Sequence, residues 1–181
     1  MRSRSYPTRF VTPFLILLFA TLPVMALSTA PRDYLTPLEE ERVKEAQILD
    51  KRIDVFIRVA ERRWLALTDP GAASSKQVQK EMEKWGELPK GTRVELIMDI
   101  ANVLDAAIIN IDDVAVRDEH NRLLPKALRK LAEAATRFQA QFISMRDQIK
   151  EAHERAAVEQ VLENIQEILG AASKLPPPEK K

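Results

Sequence analysis

Apolar side chains recur at intervals of three or four residues in four separate stretches, and no stretch sustains the period-two alternation of a half-buried strand. That spacing confines the chain to helices that each bury one stripe. The stripes are Ala46, Leu49, Ile53, Phe56, Ala60, Trp64 and Leu67; Ile97, Ala101, Leu104, Ile108, Ile111 and Ala115; Leu128, Leu131, Ala135, Phe138, Phe142, Met145 and Ile149; and Ala157, Val161, Ile165, Ile168 and Ala172.

Local signals set the ends of these helices. Thr36-Pro37-Leu38-Glu39 supplies a hydroxyl cap, a proline at the first helical position and a carboxylate three residues beyond the cap; Thr92-Arg93-Val94-Glu95 repeats the cap and carboxylate. Asp69-Pro70-Gly71 closes the first stripe. Ser74 to Trp85 reads as a short connecting helix stopped by Gly86, with Glu87-Leu88-Pro89-Lys90-Gly91 as a turn, and Pro125 opens a new helix.

Two boundaries stay open. Gln47 to Asp50 either breaks the first helix, with Asp50 capping the second piece, or continues it. No Gly or Pro falls between Lys150 and Gly170, so a turn at 151–155 follows only because a chain of this size buries both flanking stripes best by folding back. The expected fold is all-α: an antiparallel helical bundle of about four main helices plus a short connecting helix, filling 36–173. An extended lead, 27–35, precedes it and a Pro-rich mobile tail, 174–181, follows. A hairpin at the third turn is expected to bring Asp112, Asp113 and Asp118 against Lys126, Arg129 and Lys130.

The N-terminus sets the expected compartment. Arg2, Arg4 and Arg9, with no acid, precede the run Phe14-Leu15-Ile16-Leu17-Leu18-Phe19-Ala20, and Val24 and Ala26 bracket Met25 ahead of Leu27. This is the layout of a secretory signal, 1–26, cleaved after Ala26. The apolar stretch, about 13 residues, falls short of the roughly 20 that span a membrane, so no stable span is expected after cleavage. The expected location is periplasmic or extracellular. Removing 1–26 shifts the formal charge from +1 to −2 by deleting three basic residues. That balance gives no support to nucleic-acid binding, which needs clustered Lys and Arg.

Few residue sets here could carry chemistry. There is no Cys, hence no disulfide, thiolate nucleophile or thiolate-bound metal. The two histidines, His120 and His153, follow Arg117 and Lys150 at the third position back, so the Glu-x-x-His pairs of carboxylate-bridged metal bundles are missing. Asp112, Asp113, Asp118 and Glu119 lack the alternating ligands and central Gly of a calcium loop. Met82, Met98 and Met145 are available as haem ligands, but Met145 falls on an apolar stripe where core filling explains it, and the residues specify no cofactor.

Two features suit binding. Trp85 and Leu88 stand at a rigid turn, where the Trp85 ring either closes one end of the bundle core, the favoured reading, or anchors a partner; Arg58, Arg62 and Arg63 form a basic cluster on the first main helix, read as a solvated face able to meet an anionic partner. Leu35-Thr36-Pro37-Leu38 resembles the start of the Leu-Thr-x-x-Gln motif of small periplasmic stress chaperones; Glu39 replaces the Gln and no second copy occurs, so no family follows from it. The expectation is a non-enzymatic exported protein acting through protein contacts as an adaptor, subunit or holdase-like chaperone, its partner another envelope protein or itself. Alternatives are a carrier of a small apolar ligand between helices where Ala101, Ala135 and Ala157 leave space, and a hydrolase using His120 with Asp118 or Glu119.

Overall fold

The computed structural model describes residues 33–69 and 71–177. The expected signal, positions 27–32 of the lead and positions 178–181 of the tail lie outside the described residues. The described residues form six α-helices and no strand: α1 (Pro37–Glu45), α2 (Leu49–Thr68), α3 (Lys76–Trp85), α4 (Arg93–Arg117), α5 (Leu124–Arg146) and α6 (Ala152–Ala172), with a 3₁₀ turn at Ala72–Ser74. The fold is an all-α helical bundle whose main helices are α2, α4, α5 and α6.

Both Thr–Glu capping boxes form. Thr36 Oγ1 accepts from the Glu39 amide while Glu39 Oε2 accepts from the Thr36 amide at 2.9 Å, and Thr92 and Glu95 do the same at the start of α4. The chain breaks between α1 and α2, but Asp50 does not cap the second piece. Ile48 occupies the cap position with no side-chain bond, and Arg52 Nε reaches back 2.8 Å to the Ala46 carbonyl that the break exposes. The chain also turns before α6, but at 147–151 rather than at 151–155, so His153 and Glu154 already belong to the first turn of α6.

Around the bundle the order is α2, α4, α6, α5, each packed on its two neighbours, with α4 and α5 meeting more lightly across the diagonal. Ion pairs show the directions. Asp50 at the start of α2 meets Lys126 and Lys130 near the start of α5, and Glu61 further along α2 meets Arg137 further along α5, so these neighbours run parallel. Arg93 and Glu154, each in the first turn of its helix, pair across α4 and α6, which also run parallel. Two of the four side-by-side pairs, α2 with α5 and α4 with α6, are therefore parallel.

The same diagonal corrects the expected charge hairpin. Segment 118–123 carries the chain across the bundle end, so Lys126 and Lys130 turn to Asp50 and Asp54 of α2, and Arg129 donates to the Pro176 carbonyl at 2.6 Å. Among the described residues Asp112 and Asp113 have no such partners. Inside, Ile53, Ile97, Leu104, Leu131, Phe142 and Ile165 are fully buried, and Trp64 stands edge-on to Phe142 with centroids 5.1 Å apart. Burial of these stripes supplies the driving force, at about 25 cal/mol per Å² of apolar area.

Candidate functional site

The basic cluster proposed on α2 is not a solvated face. Arg62 and Arg63 are each 1% exposed and close on Glu39 of α1, which is fully buried. Arg63 holds both carboxylate oxygens, Nη1 to Oε1 at 2.5 Å and Nη2 to Oε2 at 2.6 Å; Arg62 Nε adds a bond to Oε1 at 3.1 Å. The break at 46–48 makes this reachable, because it lets α1 fold back along α2. Arg58, one turn earlier, stays half-exposed and bridges to Glu61 and to Glu81 of α3.

Two guanidiniums share one carboxylate, so carbonyl oxygens take up some of the remaining donors. Arg63 Nη2 reaches the Tyr34 carbonyl at 2.6 Å. Arg62 Nη2 gathers the carbonyls of Trp85, Gly86 and Glu87 at 3.1, 3.0 and 2.6 Å, thereby fixing the turn that follows α3. Arg62 Nη1 and Arg63 Nε find no acceptor among the described residues. Burial lowers the Arg62 pKa; Glu39 partly restores it, and the charges of Arg63 and Arg58 lower it further. Burial alone would raise the Glu39 pKa, but Arg63, the Thr36 amide and Arg62 outweigh it and hold the carboxyl below its usual range.

This buried cluster places the other two proposed residues. Trp85 is buried and closes the end of the core, while Leu88 is half-buried on the fixed turn. Gly86 has φ +72° and ψ −173°, a conformation that side chains do not tolerate, and a Cβ there would lie 3.1 Å from Leu38 Cδ1. α3 packs on α1 and the 3₁₀ turn, with its backbone set away from α2 and α4. Beneath it lies a cleft of about 450 Å³, lined by Ala66, Val78, Met82, Leu88, Pro89 and Leu96, among others, with Asp69, Glu87 and Lys90 at its polar positions. Glu87 and Lys90 pair at 2.9 Å, which lowers the Glu87 pKa. The arrangement offers an apolar recess beside a turn held rigid from below.

The other candidate positions are not assembled in the same way. His120 is 89% exposed, its Nε2 lies 3.5 Å from Glu119, and the residues lining the recess it borders include no hydroxyl or thiol side chain. Asp118 caps α4 through its amide, bonded to the Val114 carbonyl. His153 is exposed in the first turn of α6. Ala101, Ala135 and Ala157 are packed rather than lining space; the small Ala101 lets Asn164 Nδ2 reach its carbonyl at 2.8 Å, from α6 to α4. Among the described residues no three His, Asp or Glu side chains converge as a metal site would require, and no helix is long and apolar enough to cross a membrane.

Sequence reasoning missed Glu39 as the centre of the cluster, because its capping role already accounted for a carboxylate at that position. The signal lay in α2 itself. Ile53, Phe56, Ala60 and Leu67 leave a gap in the three-and-four spacing that Arg63 fills as well as Trp64 does, so the helix geometry already placed an arginine on the core face. No protein-family model matches the chain, and comparison with curated proteins and with solved structures finds no match.

Proposed function

We propose that this is an exported, non-catalytic helical bundle that works by contact with another protein of the cell envelope, through the recess between α2, α3 and the 86–91 turn. The observation that supports this reading is the set of three carbonyl bonds from Arg62 to Trp85, Gly86 and Glu87. They hold Leu88 and Pro89 at the lip of an apolar recess, and a lip fixed before binding loses less freedom when a partner's side chains enter. The adaptor and holdase-like roles both draw on this surface.

A second reading rests on the size of the same recess, about 450 Å³, which falls within the range of pockets for small apolar ligands. It relocates the carrier idea from the bundle interior to the α3 side. Native mass spectrometry of the protein recovered from its own envelope, as wild type and as Leu88→Asp, separates the two. A retained protein that Leu88→Asp releases supports the contact reading. A retained small molecule supports the carrier, and a chain with no Leu88-dependent companion overturns both.

A further inference from the structure

The four main helices divide by charge, and the division follows their positions. α4 and α6, side by side, carry nine acidic and three basic residues; α2 and α5, on the opposite side, carry ten basic and four acidic. The two sides differ further in how that charge is met. Of the ten cations on α2 and α5, all but Lys51, Arg52 and Arg129 hold a carboxylate. On the other side Asp105, Asp112, Asp113, Glu159, Glu163 and Glu167 are all exposed, and none has a Lys or Arg in ion-pair range among the described residues.

Apolar side chains accompany these acids. Met98, Asn102, Asp105, Ile109, Asp112 and Val116 follow one another along α4 at alternating intervals of four and three, and every one is exposed. Three of the six large apolar residues exposed among the described residues lie on this seam: Met98 at 36%, Ile109 at 50% and Val116 at 88%. Spacing of this kind keeps one line of a helix facing a neighbouring helix, and β-branched Ile109 and Val116 are the sort of residue that packs in such seams. The seam runs about 27 Å at 1.5 Å per residue. Asp112 and Glu167 border one small recess, so the acids of α6 flank the seam.

We infer that the outward face of α4, flanked by α6, docks a basic amphipathic helix of a partner protein. Apolar residues of that helix would cover Met98, Ile109 and Val116, and its Lys or Arg side chains would meet Asp105 and Asp112 in the seam and Glu163 and Glu167 at its edge. Charge complementarity selects this occupant. A second copy of the chain is the poorer one, because most cations on its α2–α5 side are already engaged. The surface is separate from the recess under α3, so the two readings are tested by different substitutions.

The test uses the full chain and a synthetic helical peptide of about 21 residues with Leu and Ile along one seam and Lys on both flanks, against a permuted peptide of the same composition. Fluorescence anisotropy should show the ordered peptide binding at least about tenfold tighter than the permuted one, a difference of about 1.4 kcal/mol. Ile109→Ser, and separately Asp105→Lys with Asp112→Lys, should each remove that preference, while Leu88→Asp leaves it intact; all of these sites are exposed except half-buried Leu88, and circular dichroism checks that each variant is folded. Equal binding of both peptides, or seam variants that bind like wild type, overturns the proposal. So does salt-sensitive self-association in sedimentation that Ile109→Ser abolishes, because the occupant is then a second copy. Loss of binding in Leu88→Asp alone overturns it while leaving the recess reading standing.

Discussion

Arg63 grips Glu39 with two parallel bonds, Nη1 to Oε1 at 2.5 Å and Nη2 to Oε2 at 2.6 Å, in a site closed to bulk solvent. The fork geometry of a guanidinium suits such a pair, and Arg62 and the Thr36 amide complete the carboxylate's shell. Removing the carboxylate charge leaves two guanidiniums buried without an anion. Glu39→Gln is therefore expected to cost about 3 to 5 kcal/mol, read as a fall in the urea midpoint at neutral pH. A loss below about 1 kcal/mol would mean that the cluster contributes little to stability.

The same carboxylate sets the acid limb of stability. Its folded pKa lies below the ordinary 4.5, so its contribution is complete above that value and disappears as pH falls through the folded pKa. Asp50 acts in the same direction below 3.8: the Lys126 bond lowers its pKa, burial opposes, and Lys130 lowers it further. Urea midpoints should be level from about pH 7 to 5 and then fall. In Glu39→Gln the fall should be shallower, with the Asp50 share remaining; an unchanged acid limb in that variant would sink the assignment.

Glycine behaves differently at two positions. Gly86 sits at φ +72° with Leu38 close by, so Gly86→Ala should cost about 1 to 3 kcal/mol and should expose the α3 amides to faster hydrogen exchange, since that turn anchors α3. Gly170, in the last turns of α6, has open space around it, and Gly170→Ala should stabilise the protein by about 0.5 kcal/mol. Thermal melts of the two variants should move in opposite directions.

The helices were legible because their determinants are local: two capping boxes, Gly86, Pro125 and the spacing of the stripes. The arrangement of the helices was not. That Lys126 meets Asp50 rather than Asp112 depends on a diagonal crossing at 118–123, which no pattern within α4 or α5 encodes. The candidate site was half legible. The turn pointed to Leu88, which lines the recess, and to Trp85, which is buried at the end of the core instead; a buried Arg62–Arg63 pair looks the same in sequence as an exposed one until its carboxylate is identified 23 and 24 residues upstream.

The contact between α4 and α6 tests whether the bundle interior could hold a ligand. Ala101 is 1% exposed, and its carbonyl takes a 2.8 Å bond from Asn164 Nδ2, whose own Oδ1 accepts from Gln160 at 3.2 Å. Helices this close leave no room for a larger side chain. Ala101→Leu should therefore cost about 1 to 3 kcal/mol through overpacking, because the added carbons must push α6 away or leave their rotamers. A carrier with space between these helices would respond in the opposite sense, since Leu would fill the space and raise the melting temperature. The thermal shift of this one variant decides whether any ligand search belongs inside the bundle or at the recess under α3.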